Sequence, residues 1–95
     1  MARPKIKPEV STENSAKAER RWNVIVRNDP VNFMGYVVVA FVNVLRIPHD
    51  AAKQLMRLIH EEGRATVWTG GRERAEMLAL ELQQWHLDAR LEPDA

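Results

Sequence analysis

Turn and stop signals divide this chain into short segments, and this feature most limits the folds that it can adopt. An Asn-Asp-Pro run at 28–30, Pro48, Gly63 and a Gly-Gly pair at 70–71 each interrupt a hydrophobic pattern. Asn, Asp and Gly favour turns, and proline is tolerated in turns and in the first turn of a helix. The segments between these signals are each predicted to form one short strand or one helix.

Three of the segments have the character of β-strands. Residues 22–27 and 64–69 are rich in aromatic and β-branched side chains. Residues 87–91 alternate apolar and polar positions, which is typical of a strand with one buried face. We therefore predict strands at about 22–27, 64–69 and 87–91.

Three other segments have apolar residues at helical spacing. Asn32 is expected to cap the first helix, Pro48 fits the first turn of the second, and Gly63 is expected to end it. The third helix is expected over residues 72–85. The apolar positions are Met34, Val37, Val38, Phe41, Val44 and Leu45 in the first, Ala51, Ala52, Leu55, Met56, Leu58 and Ile59 in the second, and Ala75, Leu78, Ala79 and Leu82 in the third. The order β-α-α-β-α-β predicts an α+β fold with three helices packed on one face of a small antiparallel sheet.

Charge and periodicity separate a tail from a single domain. Residues 1–21 lack hydrophobic periodicity and carry a net charge of +3, from six Lys/Arg and three Glu, so a flexible tail is predicted. Residues 22–95 carry −2, from eight Lys/Arg and ten Asp/Glu, and are predicted to form one small domain. A mildly acidic domain without a basic stripe argues against nucleic acid as the main ligand.

Composition excludes several further classes of protein. The chain has no Cys, which excludes disulfides, thiol catalysis and thiolate metal sites. No apolar run approaches the roughly 18–20 residues that span a bilayer, and the basic N-terminus is not followed by the apolar stretch of a secretory signal. We expect a cytoplasmic protein that does not bind membranes.

A small group of residues combines hydrogen-bond acceptors with a soft apolar surface. His60 follows Met56 by four residues, so both share one face of the second helix. Asn28 and Asp29 lie in a turn close in sequence to a second thioether, Met34. Such a set suits a ligand with one cationic end and one apolar end. The free N-terminus of a peptide that begins with a large hydrophobic residue is such a ligand.

Each of these residues also has a simpler interpretation. Asn-Asp-Pro is an ordinary turn sequence, methionines at helical positions are usually core, and a His at a helix C-terminus is commonly a surface or capping residue. Asp29 and His60 could exchange a proton, but no nucleophile or phosphate loop accompanies them. His49 and His86 have no spacing that groups them with His60 as metal ligands.

Two separated motifs have the spacing of a known family. The first strand ends in Asn-Asp at 28–29, and residues 52–64 have the pattern Ala-Xaa-Gln-Leu-Met-Xaa-Xaa-Ile-His-Xaa-Xaa-Gly-Arg. An Ala-Glu pair in the third helix and a closing Leu-Glu pair complete the order. In these motifs, residues 22–92 resemble the ClpS family, the adaptors of bacterial Clp proteases that recognise N-end-rule degrons. Pro-Val-Asn at 30–32 resembles the actinobacterial branch of that family.

The resemblance implies a binding site for the N-terminal residue of a substrate. The family's α-amino site falls on Asn28 and His60, with Asp29 as the acidic neighbour, and Asn32 falls near the substrate backbone. The family's hydrophobic pocket for the first side chain falls on Met34, Val37, Met56, Ile59 and Leu87. The implied function is a non-enzymatic adaptor, without a cofactor, for substrates that begin with Phe, Leu, Tyr or Trp.

The resemblance also implies a partner. A Clp-family AAA+ unfoldase of the ClpA or ClpC type would bind a face of the folded domain through its N-domain, and the tail would engage it during delivery. Two residues depart from the family pattern. Pro30 stands where many members have a second acid, so Asp29 must supply the negative charge alone. Ile59 replaces the more usual Val and is expected to disfavour Trp, the largest first side chain.

Two other functions are alternatives. The C-terminal domain of the ribosomal stalk protein has a similar small α+β architecture and docks translation factors, and a protein-interaction module of that kind would not bind N-degrons. A small hydrolase or transferase would use Asp29 and His60, but the sequence offers no oxyanion loop, nucleophile pair or metal set beside them.

Overall fold

Six short elements follow one another in the predicted order. A computed structural model describes residues 20–94, and residues 1–19 of the predicted tail lie outside the described residues. The elements are β1 (Trp22–Arg27), α1 (Met34–Leu45), α2 (His49–Glu62), β2 (Arg64–Gly70), α3 (Arg72–Gln84) and β3 (Asp88–Pro93). The predicted bounds of β1 agree with the structure, and those of β2, α3 and β3 differ by one or two residues.

The three strands form an antiparallel sheet in the order β2-β1-β3. The central strand is the most apolar one, since Val24, Ile25 and Val26 of β1 are all buried. It pairs with β2 across a register shift between Val24 and Ile25, and with β3 in an unbroken register. The strand with the most apolar surface therefore has neighbours on both sides.

The two faces of the sheet are covered in different ways. Val24 and Val26 belong to the core that the helices complete. Ile25 lies between them and so points to the opposite face. There a salt bridge of 2.7 Å between Arg64 of β2 and Glu92 of β3 reaches across β1. Long charged side chains can cover apolar surface in this way, and Ile25 is buried although none of the three described helices contributes to its cover.

The helices supply the rest of the core on one face of the sheet. Phe41 of α1, Ile59 of α2 and Leu82 of α3 are among the largest fully buried side chains, and all three belong to the same cluster as the valines of β1. The predicted α+β fold, with three helices on one face of an antiparallel sheet, is confirmed.

The C-terminal end of α2 agrees with the sequence signal, and its N-terminal end begins one position later than predicted, since Pro48 was expected within the first turn. Pro48 precedes the helix in an extended conformation, and Gly63 ends it with φ of 88°, in the left-handed region that favours glycine. The buried face consists of Ala52, Met56 and Ile59. Leu58 was expected on this face but is 44% exposed, because it lies about a quarter of a turn away from Ile59.

The start of α1 differs from the prediction. The helix begins at Met34 after Phe33, and no side chain caps it. The expectation that Asn32 caps the helix is therefore wrong. Asn32 lies one residue too early, and its amide donates instead to the carboxylate of Asp29 and to the carbonyl of His86. Within residues 20–94, no helix is long and apolar enough to cross a membrane.

Candidate functional site

The fold brings the end of β1 beside the C-terminus of α2. Gly63 ends α2, and Arg64 begins β2 directly opposite Arg27, the last residue of β1. The backbone N–H of Asn28 then donates to the carbonyl of Gly63 at 2.8 Å. His60 lies one helical turn before Gly63, so it is placed next to Asn28 although 32 positions separate the two in the sequence.

An open groove lies between the turn after β1 and the facing side of α2, and we call it the turn groove. Its volume is about 430 Å³. The lining residues are Asn28, Asp29, Pro30, Asn32, Phe33, Met34, Met56 and His60. Polar side chains from the turn and from α2 thus share one groove with two thioethers.

Asp29 organises the turn that forms one wall of this groove. One carboxylate oxygen accepts the backbone N–H of Val31 at 2.9 Å, and the other accepts the side-chain amide of Asn32 at 3.3 Å. The simple interpretation of Asn-Asp-Pro as a turn that bonds its own backbone is therefore correct for Asp29. A carboxylate has about four acceptor sites, so each oxygen retains one for a further donor.

The side chains of Asn28 and His60 have a different status. Within residues 20–94, neither makes a hydrogen bond, and His60 is exposed. Asn28 offers one carbonyl oxygen and a neutral histidine offers one unprotonated nitrogen as acceptors. Together with the carboxylate of Asp29, they form a cluster of acceptors at one end of the turn groove.

Asn32 fixes this turn to a distant part of the chain. Its amide bridges Asp29 and the carbonyl of His86, in the connection between α3 and β3. The hydroxyl of Tyr36 makes a second link by donating to the carbonyl of Trp85 at 2.8 Å. Asn32 and Tyr36 thus connect the turn and the start of α1 to the segment between α3 and β3.

The predicted apolar residues divide into two groups. Met34 is 48% exposed and Met56 is nearly buried, and both line the turn groove. Val37, Ile59 and Leu87 lie in the hydrophobic core and do not line it. The structure brings Met34 and Met56 together with the polar residues, and it places the other three in the core, to which Met56 also belongs.

Two lining residues were not among the predicted site residues. Pro30 was noted only for the acid that it replaces. Phe33 is 85% exposed and lines the turn groove just before α1. The signal that could have identified it is a large aromatic residue in an otherwise polar turn, outside the helix that would bury it. Within the described part of the chain, no group of three His, Asp or Glu side chains is placed to hold a metal ion.

The match of this chain to a protein-family model helps to interpret the site. The model for the ATP-dependent Clp protease adaptor protein ClpS matches residues 17–90, which is most of the chain. The chain belongs to the ClpS family. This favours the adaptor interpretation of the sequence over the ribosomal-stalk alternative.

Relatives from actinobacteria support the assignment. The chain is 37% identical over 76 residues to the Clp protease adapter ClpS of Corynebacterium diphtheriae, a match that covers 80% of this chain and 67% of that protein. It is 40% identical over 73 residues to ClpS of Streptomyces coelicolor, covering 77% and 76%. The predicted resemblance to the actinobacterial branch agrees with these matches.

A solved structure has the same fold. Agrobacterium tumefaciens ClpS2 bound to L-phenylalaninamide matches with a TM-score of 0.77 and 26% sequence identity, over 79% of this chain and 98% of that one. The ligand of that relative carries an amino group, an aromatic side chain and a carboxamide.

Proposed function

We propose that this chain is a non-enzymatic adaptor that captures proteins by a free N-terminal residue with a bulky hydrophobic side chain. The observation that carries this proposal is the turn groove, in which Asn28, Asp29 and His60 lie beside Met34 and Met56. In this role the three polar residues bind the α-amino group, and Asn32 contacts the substrate backbone.

The polar end of the turn groove suits an ammonium group. An ammonium has three donors and no acceptor, and Asn28, Asp29 and His60 together supply three acceptors. Hydrogen bonds to a charged group contribute roughly 1.5–3 kcal/mol each. The carboxylate of Asp29 supplies the opposite charge, and Pro30 beside it supplies none. Asp29 is therefore the one acid of this turn that can balance the positive charge of the amine.

The apolar end of the groove suits the first side chain. Val37, Ile59 and Leu87 lie in the same hydrophobic core as Met56, and Met34 lies beside Met56 in the groove lining. Met34 is half exposed in the first turn of α1, and its unbranched side chain can change rotamer at low cost. We infer that a Phe, Leu, Tyr or Trp side chain enters beside Met34 and reaches those three core residues.

The two ends of the site give specificity only in combination. Burying a Phe- or Leu-sized side chain contributes roughly 1.5–3 kcal/mol. Added to the ammonium hydrogen bonds, this supports micromolar binding, about −8 kcal/mol, after the costs of association. Neither end suffices alone, so a substrate must have both a free amine and a bulky first residue. A β-branched first residue is expected to fit poorly beside Met34.

The ligand of the similar ClpS2 structure supports this division. L-phenylalaninamide has an amino group for the polar end, a benzyl group for the apolar end and a carboxamide in the place of the next peptide bond. We propose that the polar end of the turn groove binds the first of these groups, that its methionines lie beside the second, and that Asn32 contacts the third.

Delivery is the second half of the proposed function. The adaptor would bring its substrate to a Clp-family AAA+ unfoldase of the ClpA or ClpC type, whose N-domain binds a face of the folded domain. The tail at 1–21 would engage the unfoldase during transfer. The cytoplasmic location expected from the sequence stays a prediction.

Titration with peptides that differ only at the N-terminus tests the proposal. A peptide that begins with Phe is expected to bind in the micromolar range or more tightly, whereas its N-acetylated form and a form that begins with Val should bind at least tenfold more weakly. Equal affinity for the free and the acetylated peptides would show that the groove does not recognise an amine.

A further inference from the structure

A second groove adjoins the turn groove, and we call it the basic groove. It has a volume of about 270 Å³ and lies between α1 and α2. Its lining residues are Met34, Gly35, Val38, His49, Lys53, Met56 and Arg57. Met34 and Met56 line both grooves, so the two are continuous across the pair of thioethers.

One stripe of α2 runs along both grooves. Counted back from His60, Met56 is four residues away, Lys53 seven and His49 eleven, and this spacing places them on one face. A helix rises 1.5 Å per residue, so Arg57 lies about 4.5 Å and Lys53 about 10.5 Å from His60 along the axis. An extended peptide advances about 3.4 Å per residue. Its second and fourth residues, whose side chains point to the same side of an extended chain, therefore pass these two side chains if the first residue lies at His60.

The charges along the stripe are arranged for an anion. Lys53 and Arg57 are spaced by four residues, and like charges at this spacing destabilise a helix by a few tenths of a kcal/mol. In the described part of the chain, neither Lys53 nor Arg57 takes part in a salt bridge. Asp50 and Glu61, on the same helix, do not line the basic groove. An acidic ligand would offset this repulsion.

The facing side of the basic groove is open and apolar. Gly35 of α1 lines it, and a Cβ placed there would meet no other atom within 4 Å. Val38 and the two shared methionines complete an apolar floor beneath the basic rim. The groove has room for an extended chain and contacts for its apolar atoms.

We propose that the basic groove is a second subsite, which binds acidic side chains at the second and fourth positions of the same peptide. The inference rests on the proposed function, because the amine in the turn groove fixes which peptide residues reach Arg57 and Lys53. The substrate is thus recognised as a dipolar segment, with its positive N-terminus at Asp29 and its negative side chains at the opposite end of the stripe.

Three peptides test the proposal on the full chain. All begin with Phe and have a free amine, and they differ only in the pair of residues at positions two and four, which is Glu-Glu, Gln-Gln or Lys-Lys. At low salt the Glu-Glu peptide is expected to bind roughly three- to tenfold more tightly than the Gln-Gln peptide, and the Lys-Lys peptide more weakly. The difference should shrink as salt screens the exposed charges.

Two charge reversals locate the effect. Arg57→Glu is expected to remove the preference for the Glu-Glu peptide over the Gln-Gln peptide, because it replaces the attracting charge with a repelling one. Arg74→Glu is the matched control, because it makes the same change at an exposed position of α3. The preference should survive in that variant. Loss of the preference in both variants would indicate a net-charge effect and would overturn the proposal.

The free and acetylated forms separate this inference from the proposed function. If the Gln-Gln peptide requires a free amine but Glu-Glu and Gln-Gln bind equally, the second subsite is wrong and the amine site stands. If acetylation changes nothing for any of the peptides, the proposed function fails, and the second subsite fails with it.

Discussion

The polar rim of the turn groove and the core residues at its apolar end are built in opposite ways. Asn28 and His60 lie at the surface, and within residues 20–94 their side chains make no hydrogen bond. Val37 and Ile59 are buried, and they pack with the same residues that hold the sheet to the helices. Recognition of the amine can therefore be changed without changing the fold. Recognition of the first side chain is tied to the stability of the core.

The largest predicted effect tests the core side of this comparison. Ile59 is 1% exposed. Ile59→Ala removes three buried carbon atoms and leaves a cavity, and is expected to lower the free energy of unfolding by about 2–5 kcal/mol. Urea denaturation at equilibrium measures it. A loss below about 1 kcal/mol would mean that the residue is not part of the core, and the contrast between rim and core would not hold.

The second-largest predicted effect is on peptide binding, and it tests the polar rim of the turn groove. His60→Ala is expected to weaken binding of a peptide that begins with Phe by roughly 1–3 kcal/mol, because a charged donor loses its acceptor. The free energy of unfolding should change by no more than about 0.5 kcal/mol, since the side chain is exposed. Calorimetric titration and urea denaturation of the same variant give both values. Unchanged affinity would show that His60 does not bind the amine.

Asp29 belongs to the rim but also holds the turn, and a conservative change separates the two roles. Asp29→Asn keeps an oxygen that can accept the backbone N–H of Val31 and gives up only the longer bond from the amide of Asn32, and asparagine is favourable in such turns. It removes the charge, so binding of the amine is expected to weaken by about 1 kcal/mol, the difference between a charged and a neutral hydrogen bond. Asp29→Ala should weaken binding further and also destabilise the turn. Equal effects of the two substitutions on binding would mean that the charge is not used.

The smallest predicted effect concerns Ile59, a core residue that is also proposed to contact the first side chain of the substrate. Ile59→Val removes one methyl group, at a cost of about 0.5–1.5 kcal/mol in stability. It also enlarges the space behind the methionines, so the affinity for a first residue of Trp is expected to rise relative to Phe by up to about 1 kcal/mol, near the value of one buried methylene. A ratio of the two affinities that does not change would show that Ile59 does not limit the size of the first side chain.

Much of the fold follows from local signals in the sequence. The Asn-Asp-Pro run and Gly63 mark the ends of β1 and α2, because proline and a left-handed glycine limit the backbone whatever surrounds them. Asn32 shows the limit of such reasoning. Its side chain bonds to Asp29 and to the carbonyl of His86, 54 positions away, and local cap preferences contain no information about that partner.

The site was less accessible to sequence reasoning than the fold. Taken alone, Asn28, Met34 and His60 had ordinary explanations, and only the spacing shared with a family joined them. Helical periodicity places Met34 and Val37 on one stripe alike, although the first is half exposed and the second is buried. Periodicity gives the face on which a residue lies but not the depth to which neighbouring elements cover it. Phe33, just outside the helix, was missed because the sequence does not show how far other elements cover it.

In the proposed function the turn groove recognises a free amine through a charged rim, and acetylation of the peptide removes the positive charge of that amine. The affinities of one peptide that begins with Phe, with its amine free and acetylated, are measured for the wild-type chain and for Asp29→Asn. We predict a loss of at least tenfold on acetylation in the wild type and a clearly smaller loss in the variant. An equal loss in both would contradict the role of Asp29, and no loss in the wild type would contradict the account as a whole.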